Sequence, residues 1–256
     1  TFAAAHARTA IGNPDAPAIV FPDQQLGHDQ IRRLGLAFAA RMQAAGVGPG
    51  SRVQLRTPDP VLVLAVLLGA SWTGSEVFPF AGDNARPTSL PLSHVFYDPR
   101  VKAEPVPGAI VIDESWSPAS APAFDTSTPV DTDLPWLWVH TSGTTGLPKF
   151  LSLSQRMVIA RSQAVADEFR PQSRHVLLAQ CYSRPFLARS AAALLNGSTL
   201  YFGLRPQDWH GAGIDMVSGS RSLIKTALNG VVLSSRAKRV ELAGSRLPDH
   251  EAVALL

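Results

Sequence analysis

Apolar residues recur along this chain with two different periods, and their alternation predicts strands and helices in turn. Ala18 to Phe21 is a short apolar run closed by the turn-prone Pro22-Asp23, the pattern of a strand. From about Asp29 to Ala45 the residues Ile31, Leu34, Phe38 and Met42 fall at helical spacing. Gly46 then stands where a helix end favours a left-handed residue. After the turn-forming Gly46 to Gly50, the run Arg52 to Leu55 reads as a strand. Asp59-Pro60 supplies a cap and a first-turn proline for an apolar helix reaching about Trp72. Ala109 to Ile112 and Leu134 to Val139 are further strand candidates.

Downstream the same rules predict a helix from about Ser154 to Phe169 and a strand from His175 to Gln180. They also predict a helix from Pro185 to Asn196 stopped by Gly197, and a strand from Thr199 to Phe202. A strand near Met216, a helix from Arg221 to Leu228, a strand from Arg239 to Leu242 and a helix opening after Asp249 complete the pattern. Alternation of this kind implies an α/β fold. Between Glu114 and Thr132 the periodicity gives way to Ser, Pro, Thr and Ala, as in a surface linker. The expected organisation is a first α/β subdomain over 1–132, with the linker at 114–132, and a second over 133–256. Because the last helix begins at Asp249 and has no closing cap before Leu256, the second unit is expected to be truncated.

Composition narrows the classes. With 45% hydrophobic and 17% charged residues the chain can bury a sizeable core. The net charge is +3, and the basic residues are mostly scattered arginines, which argues against a nucleic-acid partner. The longest apolar run, Val61 to Trp72, is too short for a transmembrane helix. A single cysteine, Cys181, excludes an intrachain disulfide and a C-x-x-C metal site. It is expected to be a packed thiol in a reducing, cytoplasmic setting. The seven histidines show no metal-ligand spacing, so no metal ligand is assigned.

The chemistry is concentrated in Thr141-Ser142-Gly143-Thr144-Thr145-Gly146-Leu147-Pro148-Lys149. Gly143 and Gly146 let the backbone curl with its N–H groups inward, which makes an anion-binding concavity. Thr141, Ser142, Thr144 and Thr145 add hydroxyl donors, and Lys149 adds positive charge. Such a loop suits a polyphosphate. It is neither a Walker A loop, since Pro148 precedes and Phe150 follows the lysine, nor a dinucleotide-binding G-x-G-x-x-G.

This nine-residue stretch resembles the phosphate-loop signature of the adenylate-forming superfamily: acyl-CoA synthetases, nonribosomal-peptide adenylation domains and luciferases. Weaker likenesses follow in the same order. Gly46 to Leu55 is similar to that family's turn and strand, and Val61 to Gly74 to its next helix. Ile214 to Leu228 resembles the strand and helix that wall the acyl pocket, and Val240 to Pro248 the segment lining the nucleotide and acyl site. Gly244, Ser245 and Arg246 are the pocket residues this last likeness implies. Departures stand beside it: Phe150-Leu151 replace Gly-Val, Gln155 replaces a histidine, and Tyr182 to Arg184 fill the stretch of the family's pocket histidine. Arg184 and Arg246 are candidates for meeting an anionic substrate, and His140 fills an aromatic slot.

The resemblance covers only the N-terminal part of the family's fold, layered sheets flanked by helices. It implies a ligase using ATP and magnesium to activate a carboxylic acid as its acyl-adenylate, then to load coenzyme A or an acyl-carrier protein. The family's Tyr-Gly-x-Thr-Glu segment, its ribose-binding aspartate and its catalytic lysine have no counterpart in these 256 residues. No catalytic residue is therefore assigned. The alternative is a truncated, inactive nucleotide-binding or carrier-interacting module. With no evident carboxylate for an ammonium group, a fatty or aryl acid is the expected substrate.

Overall fold

The computed structural model describes residues 1–79, 91–101, 107–141, 149–228 and 238–243. Eighteen α-helices and β-strands are assigned among them, in the order α1 (Phe2–Gly12), β1 (Pro17–Val20), β2 (Gln25–Gly27), α2 (His28–Ala44), β3 (Arg52–Arg56), α3 (Pro60–Thr73), β4 (Glu76–Pro79), β5 (His94–Tyr97) and β6 (Ile110–Val111). Then follow β7 (Pro135–Thr141), β8 (Lys149–Ser154), α4 (Gln155–Gln163), β9 (Arg174–Leu178), α5 (Arg184–Asn196), β10 (Thr199–Tyr201), β11 (Met216–Ser220), α6 (Arg221–Leu228) and β12 (Arg239–Ala243).

The strands form two six-stranded sheets, ordered β12-β11-β9-β10-β1-β2 and β6-β5-β3-β4-β7-β8. Each is parallel except for one antiparallel edge pair, β1–β2 in the first sheet and β7–β8 in the second. Both draw strands from before and after residue 132.

Helices fill the space between. α2 packs on β1 and β2 of the first sheet and on α3, and α3 packs on β4 and β7 of the second. α5 touches both β10 and β7, while α1 contacts α2, α3, α4 and α5. One apolar core runs through these layers, from Ile19 and Leu200 to Val53, Leu55 and Val77. A smaller cluster of Val176, Trp209, Ile214, Val217 and Ile224 covers the opposite face of the first sheet. Parallel strands covered on both faces read as continuous apolar runs, as Val176-Leu177 does.

Local chemistry sets the boundaries. Asp59 Oδ1 accepts from Val61 N at 2.7 Å to start α3, and Ser183 opens α5. Gly46 and Gly197 take φ of +82° and +77°, as expected of residues just past a helix end. α1 is an addition to the sequence reading. Its buried Phe2, Ala3, His6 and Ala10 follow helical spacing, but the alanine-rich segment has little polar contrast. α4 is shorter than its expected extent to Phe169. The Ser162 carbonyl is taken by Asn196 Nδ2 at 3.0 Å, and turns lead from Ala164 onward. The predicted helix after Asp249 lies outside the described residues.

Candidate functional site

β7 and β8 pair antiparallel from Pro135↔Ser154 to a last rung at Thr141↔Lys149. The chain between these two residues is the Gly/Thr-rich loop, so its two ends are held side by side. Residues 142–148, with Ser142, Gly143, Thr144, Thr145 and Gly146, lie outside the described residues. For Thr141 and Lys149 the backbone alone is described.

One expectation needs correcting here. The sequence reading has no element between the loop and the helix expected from Ser154, and so places the loop between a strand and a helix; in the structure the loop joins two antiparallel strands, and α4 follows only after β8. Phe150 to Leu153 lies in the edge strand β8, and Phe150 packs edge-on to Phe78 with ring centroids 5.3 Å apart. Ser154 then caps α4 by accepting from Met157 N. β7 runs parallel to β4, so the loop leaves from the carboxyl edge of its sheet. β12 runs parallel to β11 and ends at Ala243, opposite Ser220. The predicted pocket residues Gly244, Ser245 and Arg246 continue from that carboxyl end and lie outside the described residues. Both segments therefore depart from the edge where ligands of open α/β sheets bind.

The two carboxyl edges face the same side. Cys181, just past β9, contacts the carbonyl of Thr57, just past β3, with Sγ at 3.5 Å. Around this junction Thr57 Oγ1 donates to Asp98 Oδ2 at 2.5 Å, and Arg100 bridges Asp98 at 2.9 Å and Asp59 at 2.7 Å. Burial pushes the Asp98 carboxyl up, but the hydrogen bonds from Arg100 and Thr57 outweigh it and hold it below its ordinary value. Burial pushes the Cys181 thiol up to about 11, which leaves it protonated and unfit as a nucleophile.

Gln155 makes a second tie. Its Oε1 accepts from Phe2 N at 2.8 Å and Ser71 Oγ at 2.7 Å, joining the starts of α1 and α4 to α3.

Beside the loop root, β7, β8, α4 and α5 enclose a cavity of about 350 Å³. Leu137, Val139, Leu153, Val158, Val165 and Leu187 give it apolar walls. Arg161, Arg184 and Arg189 also line it. Arg189 is paired with Glu241 and lies 5.9 Å from the Phe169 ring centre. Arg161 and Arg184 are exposed, and neither has an ion pair among the described residues. Arg184 was expected from sequence to meet an anion. Arg161 and Arg189 were not, because only the packing of α4 on α5 brings them to the same hollow.

No protein-family model matches the chain. Among curated proteins it is 28% identical over 174 residues to the fatty acid–[acyl-carrier-protein] ligase ScoC of Streptomyces coeruleorubidus, covering 60% of this chain and 33% of ScoC. It is 30% identical over 172 residues to the phenyloxazoline synthase MbtB of Mycolicibacterium paratuberculosis, covering 63% of this chain and 14% of MbtB. Among solved structures, the N-terminal domain of FACL13 from Mycobacterium tuberculosis superposes with a TM-score of 0.81. That match has 18% identity and covers 97% of this chain and 71% of FACL13's domain. The fold is that of the N-terminal part of adenylate-forming enzymes.

In this adenylate-forming fold the two layered sheets and the helices between them are accounted for almost end to end. The chain nonetheless spans only about one third of the length of ScoC and less of MbtB. Among the described residues no helix is long and apolar enough to cross a membrane. No group of three or more His, Cys, Asp or Glu side chains is placed there to hold a metal ion.

Proposed function

We propose that the complete protein activates a carboxylic acid with ATP and then transfers the acyl group to a thiol of coenzyme A or a carrier protein. The supporting observation is the loop's seat. A nine-residue run rich in hydroxyls and glycines is anchored at Thr141↔Lys149, on the carboxyl edge of a parallel sheet. Seven residues separate the two partners of that rung in the sequence. Two glycines among them let the N–H groups converge on an anion.

In the reaction the substrate carboxylate oxygen bonds to the α-phosphorus, and the bond from that phosphorus to the bridging oxygen of the β-phosphate breaks. Pyrophosphate leaves with the electron pair, and the thiol sulfur later displaces AMP from the acyl carbon. The assigned work of Thr141, Ser142, Thr144, Thr145 and Lys149 is to hold and neutralise the departing phosphates, with Gly143 and Gly146 allowing close approach. Placed charges and dipoles of this kind commonly account for most of such a rate enhancement. The donor set fits phosphate oxygens, and magnesium is placed with the nucleotide rather than in a protein cage.

ATP–pyrophosphate exchange by the complete protein tests this reading. Lys149→Ala is expected to lower exchange by about 10²-fold, the scale of losing one positioned charge. Exchange at the wild-type rate in that variant, or none in the wild type with any acid, sinks the assignment.

A further inference from the structure

Two polar side chains are buried on one face of the second sheet with no partner to account for them. In β3, Val53 and Leu55 belong to the apolar core, so Gln54 and Arg56 alternate onto the face turned away from it. Gln54 is 2% exposed and Arg56 is 7% exposed. Among the described residues neither side chain has a hydrogen bond, and Arg56 has no ion pair. Arginine is seldom buried this far unless paired, because its charge loses water and gains nothing in return.

Two acids flank β3, and both are committed. Glu76, the ladder partner of Arg52, holds that arginine at 2.9 Å and accepts from the indole of Trp138. Asp98 follows Tyr97, the ladder partner of Arg56, and accepts from Thr57 and Arg100. Neither carboxylate is left for the Arg56 guanidinium.

The ladder also fixes where Arg56 stands. Val53 pairs with Val77, and Val77 with Leu137, across β3, β4 and β7. Arg56 and His140 each lie three residues further along, so their backbones share one height, two strand spacings or roughly 10 Å apart. The phosphate loop departs one residue after His140. Arg56 is thus a buried cation at the loop's own edge of the sheet, with β4 between them.

We propose that Arg56 and Gln54 form a site for one phosphate-type oxyanion, beside the phosphate loop and separate from it. The planar guanidinium offers paired donors to two oxygens of a single group. The Gln54 amide, about 7 Å along the strand on the same face, adds a donor from another direction. A tetrahedral phosphate presents oxygens to both, whereas a planar carboxylate is filled by the guanidinium alone. The bound anion supplies the counter-charge that the neighbouring acids do not. This inference stands apart from the ligase reading, which gives neither residue a task.

Thermal unfolding of the full chain in chloride buffer, titrated with inorganic phosphate at constant ionic strength, tests the site. The midpoint should rise saturably, by roughly 5–10 °C once phosphate reaches about 100 times its dissociation constant. Acetate should act more weakly. Arg56→Met should abolish the Arg56 share of the shift and, in chloride alone, melt no lower than the native chain, because it removes a charge without a partner. Arg56→Lys keeps the charge but loses the fork, and should need about tenfold more phosphate for the same shift. Lys149→Ala should leave the Arg56-dependent shift in place, which separates this site from the loop. Phenyl phosphate tells two sources apart. An equal Arg56-dependent shift assigns the site to the phosphoryl group of a larger ligand; a shift with inorganic phosphate alone assigns it to the free ion. A midpoint lowered by Arg56→Met in chloride would mean that the guanidinium already has a partner in the folded chain, and overturns the inference. So does a phosphate shift that survives Arg56→Lys unchanged, or the lack of any saturable shift.

Discussion

Cys181 is the chain's single thiol, and its surroundings decide that it stays one. Its Sγ lies against the Thr57 carbonyl, and burial pushes its pKa to about 11, so very little thiolate forms near neutrality. A disulfide reagent at about pH 8 is expected to modify the native chain at least roughly 100-fold more slowly than the unfolded chain. Equal rates would show the thiol to be open. Three buried histidines carry a different consequence. Burial lowers His6 to about 3, with the His28 charge adding to it, and lowers His28 and His175 each to about 4. His6 Nε2 and His28 Nδ1 stand 3.4 Å apart, while His175 stacks on Phe169 at 4.4 Å. The folded values lie below the unfolded one, so the unfolded chain binds more protons between about pH 6.5 and 4. Stability is therefore full above about pH 6.5 and falls on acidification through that window, by up to about 1.4 kcal/mol per pH unit for each histidine. Unfolding at about pH 5.5 should take up between two and three protons at these sites, measurable by calorimetry in buffers of different ionisation enthalpy. Uptake near zero there would contradict the burial.

Between elements, stability turns on a few close approaches. α2 and α3 meet at Gly35 and Gly69, where added methyl carbons would stand 2.6 Å from Leu68 Cβ and 2.9 Å from Met42 Sδ. A methyl group at 35 strikes a Cβ fixed to its own helix, whereas the Met42 sulfur has some freedom to move. Gly35→Ala should thus cost about 1–3 kcal/mol by urea unfolding, net of the roughly 1 kcal/mol that alanine gains in a helix. An unchanged midpoint would mean that the helices are further apart. Gln155→Ala removes the acceptor shared by Phe2 N and Ser71 Oγ, both buried, and should cost about 2–4 kcal/mol for two orphaned donors.

The same scale explains what the sequence could reveal. α2, α3 and α5 combine apolar periodicity with caps or glycine stops; β1, β7, β9 and β10 carry short apolar runs, and β3 and β12 alternate apolar with polar residues, so these were legible. β2, β4 and β5, of three or four residues each, gain their identity from ladder partners rather than from their own pattern. β8 was hidden because Phe150 to Leu153 sits between two stronger signals, the loop and the Ser154 cap. At the candidate site the loop was legible because its chemistry is contiguous. The cavity was not, because its α4 and α5 lining residues, such as Arg161 and Arg184, lie 23 positions apart in the sequence and come to one hollow only through α4–α5 packing.

For the whole molecule, the decisive fact is that neither sheet is local in sequence. β1 and β2 complete a sheet whose other strands begin at Arg174, and β7 and β8 extend one begun at Arg52. The segment after the Glu114–Trp116 turn is largely exposed and crosses between the halves. It is nonetheless anchored at its start: Trp116 is buried between Phe38 and Phe96, and Arg41 holds the carbonyls of Ser115 and Ser120. Limited proteolysis should therefore cut within about 121–131, where the backbone has few ties, and spare the stretch around Trp116. The nicked halves should stay together on size-exclusion chromatography in native buffer and separate only in denaturant, since each supplies strands to both sheets and helices to one shared core. Expressed alone, residues 1–132 expose the face of α1 that α4 and α5 would cover and the side of α3 that β7 would cover. They lack β7 and β10 as partners for β4 and β1, and so should show no cooperative melt. Two halves that melt cooperatively when separate would instead make the residue-132 boundary a true junction between independent units.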